Sequence, residues 1–439
     1  MKNTSLILWF ILTVGLAGYF SYSLFISPDK SDFIVGEASH GHYQIEMACT
    51  NCHLSPFGGT EVLQDACESC HQEELDLVED SHPIKKFTDP RNADRLEKLN
   101  AAQCVTCHRE HQNEQTHAMG VTLPIDFCFE CHQNIAEERP SHEGMEFDTC
   151  ASAGCHNYHD NKALYEDFLV KHGSKSEPIA NMKMKIPNRV EQYKKEHQDV
   201  KSMTLAEVNT PDNTAHTQNL ALAWSESSHA EVGVDCNSCH LNDEKQWQEQ
   251  PSLLVCADCH QNNWQQFTQS HHGMRQDQQL NIAMPVMTPA QARLPFTAES
   301  MMKLVTCNSC HDPHQLDLSY AATDSCLSCH NDEHSVNFKN SKHFNVDFRS
   351  TPDLADIEVT CATCHLPRYE EDGVVKAMHN PNHNLRPNEK MLRSVCMDCH
   401  SLSFSIDALA DQTLIKNNFV GQPQLHIQSI DMAVKRVTK

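Results

Sequence analysis

The 22 cysteines of this 439-residue chain fall into eleven pairs, and the residue after each pair is always histidine. Histidine occupies only 30 positions, about 7% of the chain, so eleven such neighbours do not arise by chance. Disulfides or zinc sites, the common uses of many cysteines, do not need a histidine after every pair. A c-type haem does, because two thiols bond its vinyl groups and the next imidazole binds the iron. The sequence therefore predicts eleven covalently attached haem c groups.

Ten of the pairs are separated by two residues, and the fifth, which has a four-residue gap, is included because a histidine follows it and no other cysteine is left over. The predicted thioether-forming residues, pair by pair, are Cys49 and Cys52, Cys67 and Cys70, Cys104 and Cys107, Cys128 and Cys131, Cys150 and Cys155, Cys236 and Cys239, Cys256 and Cys259, Cys307 and Cys310, Cys326 and Cys329, Cys361 and Cys364, and Cys396 and Cys399. The predicted proximal iron ligands are His53, His71, His108, His132, His156, His240, His260, His311, His330, His365 and His400.

Nineteen histidines remain after these eleven (30 − 11 = 19), enough to give every iron a second imidazole. Three of them, His111, His159 and His314, stand three positions after a proximal histidine. That spacing puts both side chains on one helical face, so the second imidazole lies beside its own haem and not across it. We expect these three to bind the iron of a neighbouring haem. The alternative is a surface histidine or one that binds a haem propionate.

Further candidate distal ligands are spread along the chain, and nothing in the spacing points to methionine in this role. They are His42, His82, His117, His142, His172, His229, His272, His334, His343, His379 and His383. Three neighbouring pairs are alternatives for one role each: His40 or His42, His271 or His272, and His379 or His383.

The composition suits a chain whose interior is built partly from haem. The hydrophobic fraction is 39%, below the usual globular average, so the haems are expected to supply apolar interior that side chains do not. The formal net charge is −25, which makes nucleic acid an unsuitable partner and favours partners that dock through a basic patch.

The N-terminal segment predicts a membrane anchor. Residues 6–26 carry no charge and are long enough to span a bilayer, and Lys2 ahead of them favours export of everything after residue 30. A cleaved secretory signal is the alternative, although the apolar run is longer than usual for one. We therefore expect a single-pass inner-membrane protein with its haem domains in the periplasm.

The predicted fold is mostly α with extensive loops, little or no sheet and one N-terminal transmembrane helix. The expected organisation is an anchor over 1–30, a pentahaem domain over 31–172, a polar linker or helix over 173–215, a hexahaem domain over 216–420 and a tail over 421–439. Short helices are expected to begin at or just after the attachment motifs. The apolar spacing across 405–419 also predicts one amphipathic helix there.

The second half resembles the haem core of the hydroxylamine oxidoreductase and multihaem nitrite reductase superfamily. The resemblance rests on the order of Trp224 and His229 ahead of GVDCNSCH, then HHGMR, CNSCHDPH, CLSCHNDEH followed by NSKH, VTCATCH and SVCMDCHS. It implies a mostly helical fold with close parallel haem pairs. In hydroxylamine oxidoreductase, a tyrosine from beyond the last haem is cross-linked to the catalytic haem. The last tyrosine here, Tyr369, precedes His400, which argues against hydroxylamine oxidation.

The first half is similar in layout to membrane-anchored multihaem quinol dehydrogenases of the NapC/NrfH type, which have fewer haems.

The sequence leads to two hypotheses about function. The first is an electron-transfer cytochrome that connects the quinol pool, or another redox membrane complex, with a periplasmic redox protein. The alternative is a reductase of nitrite, hydroxylamine or a sulfur oxyanion at one haem with an open distal face.

Overall fold

The structure is a computed structural model of the whole chain. It describes residues 2–27, 29–55, 58–116, 120–150, 157–160, 166–173, 175, 189–211, 217–346, 358–385 and 390–437. These residues form two compact units. The first comprises Met1–Gln133, Tyr158–Asp160 and Gln278–Ala283, and the second comprises Asn134–Asn157, Asn161–Asp277 and Met284–Lys439. The domain boundaries predicted from the sequence stay predictions.

The predicted mostly helical fold is confirmed. In the first unit, the described α-helices are Lys2–Phe25, Cys49–Cys52, Thr60–Leu77, Ile84–Thr88, Ala93–Lys98, Cys104–Cys107 and Phe129–His132. In the second unit they are Ile135–Glu138, Glu166–His172, Arg189–Glu196, Thr217–Ser225, Ser228–Glu231, Cys236–His240, Leu254–Cys259, Gln261–Thr268, Ser325–Leu327, Glu333–Asn337, Cys361–His365, Met391–Ser394, Leu402–Ala410, Gln412–Lys416 and Gln428–Val437.

The sheet of the described chain is a single hairpin, in agreement with the prediction of little or no sheet. Strand Arg368–Glu371 pairs antiparallel with Val374–Ala377, with Arg368 opposite Ala377. The two residues between them, Asp372 and Gly373, both have positive φ angles, 53° and 76°. An Asp-Gly pair with this backbone forms the tight turn that matches the twist of a hairpin.

The N-terminal helix Lys2–Phe25 is long and apolar enough to cross a membrane or to act as a signal. Its window Thr4–Phe25 has a mean hydropathy of 1.7, and its large apolar side chains are exposed. Lys30 caps the C-terminal end of this helix, because its ammonium donates hydrogen bonds to the carbonyls of Ser23 and Leu24 at 3.0 and 2.6 Å. A cation at this end also complements the helix dipole.

A cluster of buried apolar side chains lies in the second unit, around the last attachment motif. Helix Leu402–Ala410 contributes Leu402, Ile406 and Leu409, whose spacing puts them on one helical face. They pack with Met391, Leu392, Met397 and Ile430, and Met397 lies between Cys396 and Cys399. Conventional side-chain packing therefore supports the final attachment site.

The single helix predicted over 405–419 is wrong. The structure has two helices here, Leu402–Ala410 and Gln412–Lys416, separated by Asp411. Asp411 is extended, and its carboxylate accepts the Leu414 backbone N–H at 2.9 Å, which caps the second helix. Aspartate favours such caps over helix interiors because its side chain competes for backbone donors.

His426 links the C-terminal helix to the rest of the second unit and predicts a pH dependence. Its Nδ1 lies 2.8 Å from Asp407 and its Nε2 3.0 Å from Asp431. Hydrogen bonds to the two carboxylates raise the pKa of His426 to about 9. A raised pKa in the folded state means that this link stabilises the fold fully below pH 6.5 and is lost as pH rises through about 9.

We therefore expect tryptic cleavage after Lys435, in helix Gln428–Val437, to accelerate between pH 8 and pH 10, relative to cleavage of an unstructured peptide of the same sequence. The matched variant His426→Gln cannot carry the charge, so its relative cleavage rate should be raised already at pH 8 and should change little up to pH 10. Identical pH profiles for the two proteins would contradict the role of His426.

Candidate haem sites

Short helical turns hold the attachment cysteines. In a Cys-x-x-Cys-His motif the second thiol and the histidine follow the first thiol by three and four positions, so all three share one helical face. Helices Cys236–His240 and Cys361–His365 coincide with two motifs. Capping residues immediately before them start these helices: Asp235 accepts the Ser238 N–H at 2.8 Å and Thr360 the Thr363 N–H at 3.2 Å. The local sequence thus directs both thiols and the imidazole to one side.

Several motifs are helical only in part, and the fourth and the ninth are examples. At the fourth motif, helix Phe129–His132 includes Cys131 but begins after the first cysteine. At the ninth motif, helix Ser325–Leu327 ends before Cys329. The turn still closes in both, because the N–H of Cys131 and the N–H of Cys329 each donate to the carbonyl of the first cysteine, at 3.3 and 3.1 Å. Both cysteines are half-buried, and their thioether bonds stay predictions.

None of the described cysteines forms a disulfide. Within the same described residues, no group of three or more His, Cys, Asp or Glu side chains converges as a zinc site would require. The Cys150 motif runs into 151–156, so Cys155 and His156 lie outside the described residues.

Nine predicted proximal histidines each face one candidate distal histidine, with ring centres 5.7 to 6.3 Å apart. The pairs are His71 with His42, His132 with His82, His108 with His159, His260 with His229, His240 with His314, His330 with His272, His311 with His379, His365 with His334, and His400 with His343.

These distances fit two imidazoles on opposite sides of one metal ion. An imidazole nitrogen binds a transition metal at about 2.0 Å and lies about 1.1 Å from its ring centre, so the two ring centres would be about 6 Å apart. In the His42–His71 pair the two Nε2 atoms face each other at 3.5 Å. The residues present therefore fit an iron bound by two histidines, whereas a hydrogen-bonded or stacked pair would lie closer.

Two of the histidines that follow a proximal ligand by three positions face a different motif. His314 lies opposite His240 and not opposite His311, and His159 lies opposite His108. This is the arrangement that the sequence predicts, in which a histidine beside one attachment motif binds the iron of a neighbouring haem. The assignment of each as an iron ligand stays a prediction.

The structure distinguishes the alternative neighbours. In the three pairs of alternatives, the histidine that faces a proximal histidine is His42, His272 and His379, respectively. His271 instead donates its backbone N–H to Asn382, at 2.9 Å.

The other candidates have different surroundings. His111 has its Nδ1 2.8 Å from the Gly36 carbonyl, and His172 is buried against Phe168. His142 ends the short helix Pro140–His142, and the His383 backbone N–H donates to Asn380. His53 follows the turn Cys49–Cys52 and is exposed, and His117 lies outside the described residues.

Backbone carbonyls or carboxylates contact the outer nitrogens of several of the paired imidazoles. His240 Nδ1 lies 2.7 Å from the Gln248 carbonyl, and His82 and His334 contact the carbonyls of Tyr158 and Ile415. Such bonds fix the ring orientation and leave Nε2 free for the metal. Burial also lowers the pKa of His272 and of His365 to about 4, so both stay neutral and able to bind metal at neutral pH.

Three carboxylates are functional residues that the sequence reasoning missed. Glu110 and Glu74 contact His42 and His71, and Asp80 contacts His159 at 3.2 Å. Burial opposes ionisation of Glu110, but the hydrogen bonds from His42 and Ser39 outweigh it and lower its pKa to about 2. A signal existed only for Glu74, which stands three positions after the histidine that it contacts, His71.

Thiols of successive motifs touch each other within each unit. In the first unit the side chain of Cys67 lies beside that of Cys104. In the second unit Cys256 contacts Cys307, and Cys326 contacts Cys361. Each contact joins the first cysteine of one motif to the first cysteine of the next. The first attachment cysteines of these successive motifs therefore lie side by side.

Residues 41–133 match the family model described as cytochrome c3. The match spans 93 residues (133 − 41 + 1) and includes the first four attachment motifs. With the 22 cysteines it supports a multihaem c-type cytochrome with covalently bound haem c. No curated protein and no solved structure matches the chain. The resemblances to hydroxylamine oxidoreductase and to NapC/NrfH-type proteins stay predictions, as does the count of eleven haems.

Proposed function

We propose that this chain is a membrane-anchored periplasmic undecahaem cytochrome that carries electrons between the quinol pool, or another redox membrane complex, and a periplasmic redox protein. The family match over residues 41–133 supports multihaem electron transfer. The anchor, the number of haems and the partners belong to the proposal.

The observation that carries the proposal is the set of nine histidine pairs. An iron with an imidazole on each face has no position left for a substrate, which suits electron transfer and not catalysis. Haem c, when bound, supplies a one-electron iron couple at each such site. The paired imidazoles would exclude water from a bound iron, and the hydrogen bonds that their Nδ1 atoms donate keep the rings fixed.

Contacts between attachment motifs support a relay inside each unit. The contact of Cys67 with Cys104 joins two consecutive motifs of the first unit. The contacts of Cys256 with Cys307 and of Cys326 with Cys361 do so twice in the second. A chain whose haems did not exchange electrons would not need the attachment cysteines of successive motifs in contact.

Charge and the N-terminal helix support the proposed location and partners. Helix Lys2–Phe25 would hold the chain at the inner membrane, and covalent haem attachment fits an exported protein. With a formal net charge of −25, the haem domains would attract a redox partner with a basic docking surface. High ionic strength should therefore slow electron exchange with that partner.

The proposal is tested by mixing the fully reduced protein with three oxidants separately. Ferricyanide, an outer-sphere acceptor, is expected to reoxidise it completely and rapidly. Nitrite and hydroxylamine are expected to leave it reduced on the same timescale, because neither finds an open iron. Repeated turnover with nitrite or hydroxylamine would overturn the proposal in favour of the reductase.

A further inference from the structure

The His42–His71 pair in the first unit has a carboxylate at the outer nitrogen of each imidazole. Glu110 Oε1 lies 2.6 Å from His42 Nδ1, and Glu74 Oε2 lies 3.2 Å from His71 Nδ1. Both imidazoles therefore donate a hydrogen bond to a carboxylate, while their Nε2 atoms face each other at 3.5 Å. Each half of this pair has its own negative charge.

Glu110 is held firmly in this position. Its Oε2 accepts the Ser39 backbone N–H at 2.6 Å, and its Oε1 accepts the Ser39 hydroxyl at 2.8 Å as well as the bond from His42. The Glu110 side chain is only 29% exposed, whereas that of Glu74 is 67% exposed. Glu110 is therefore the better shielded of the two charges, and its effect on His42 is screened less by solvent.

Several other pairs have outer contacts of a different kind. Backbone carbonyls, which carry no net charge, accept from His82 and His240. His159 contacts one carboxylate, Asp80, but its partner His108 is hydrogen-bonded to the Gly120 backbone. Asp312 and Asp332 lie 4.0 and 3.9 Å from His314 and His330, beyond hydrogen-bonding distance.

A carboxylate that accepts the Nδ1 proton makes the imidazole a stronger donor to the metal. Its negative charge also favours the ferric state, which carries one more positive charge than the ferrous state. Both effects make the iron harder to reduce, and they add when each ligand has its own carboxylate.

We propose that Glu110 and Glu74 are positioning residues that lower the reduction potential of the haem attached at Cys67 and Cys70. This rests on the proposed ligation of one iron by His42 and His71. The site then accepts an electron less readily than it would without the two carboxylates.

The test is a potentiometric titration of the purified, haem-loaded full chain, followed by electron paramagnetic resonance. Glu110→Gln keeps an amide oxygen for the hydrogen bond and removes the charge. One low-spin haem should then become about tenfold easier to reduce, a rise of about 59 mV in its midpoint potential. Glu74→Gln should shift the same haem in the same direction by less, because Glu74 is more exposed.

Glu114→Gln is the matched control. Glu114 lies four positions from Glu110 and accepts the His40 backbone N–H at 2.6 Å. The variant therefore removes a negative charge close to Glu110 without changing a contact to an imidazole nitrogen. Its titration should coincide with that of the unmodified protein. A Glu114→Gln shift equal to that of Glu110→Gln would mean that general charge, and not the contact with His42, sets the potential.

A fourth variant separates the inference from the function on which it rests. His42→Gly should convert one haem from low spin to high spin. If no high-spin haem forms, His42 is not a ligand and the proposed ligation fails together with the inference. If one does form but neither glutamine variant at positions 110 and 74 raises a midpoint potential, the inference alone is overturned.

Discussion

His272→Gly is expected to convert one low-spin haem into a high-spin haem, whereas His271→Gly leaves the spin states unchanged. The His272 ring lies opposite that of His330, with ring centres 6.1 Å apart, and burial lowers its pKa to about 4. His271 is its immediate neighbour and contacts Asn382. The comparison thus separates a ligand from an adjacent histidine with the smallest possible change of position.

Electron paramagnetic resonance of the oxidised variants measures the number of high-spin irons, and carbon monoxide binding to the reduced variants reports the open face. Added imidazole should enter the space left by His272→Gly and restore the low-spin signal, which distinguishes loss of a ligand from misfolding. High-spin iron in His271→Gly, with none in His272→Gly, would show that the pairing with His330 is wrong.

Leu402→Ala is expected to lower the free energy of unfolding by about 2–5 kcal/mol, because a fully buried leucine leaves a cavity when it is truncated. Leu402 has no exposed surface and packs in the cluster with Ile406, Leu409 and Met397. Since Met397 stands inside the last attachment motif, the haem at Cys396 and Cys399 should be the first to lose its low-spin signal on denaturation.

Leu425→Ala provides the control for this effect, because Leu425 is 47% exposed and its truncation should change stability by less than about 0.5 kcal/mol. Guanidinium unfolding of both variants, followed by the haem absorption and by circular dichroism, gives the comparison. Equal destabilisation by the two substitutions would mean that the apolar cluster does not support the final site.

The attachment residues could be predicted from the sequence because their chemistry is local. Two thiols and an imidazole at fixed spacing share one helical turn, so the motif specifies its own geometry. Fold class followed for the same reason, since short helical motifs with polar loops leave little sequence for sheet. The hairpin at Asp372 and Gly373 was marked by a local turn signal that the broader pattern obscured.

Histidine pairing could not be predicted because it depends on chain folding over long separations. His260 faces His229, 31 positions earlier, while His311 faces His379, 68 positions later. Spacing alone does not choose between such partners. Only the rule for a histidine three positions after a proximal ligand carried information, since it excludes that ligand's own haem, as with His314 and His240.

Electrostatic detail was also beyond the sequence pattern. Glu110 belongs to one attachment motif, but it contacts His42, which precedes the first motif. The sequence around a charged residue such as Glu110 does not predict that its carboxylate will contact an imidazole nitrogen of a different haem site. The break at Asp411 has a similar origin, because apolar spacing predicts a helical face and not the position at which a side chain caps the backbone.

Quantification of the spin states in the fully oxidised protein tests the central claim most directly. Eleven attachment motifs and nine described histidine pairs leave two sites, those of His53 and His156, without a described opposite histidine (11 − 9 = 2). Electron paramagnetic resonance is predicted to find at least nine low-spin ferric haems per chain. Three or more high-spin haems per chain would contradict a relay built from irons held between paired histidines.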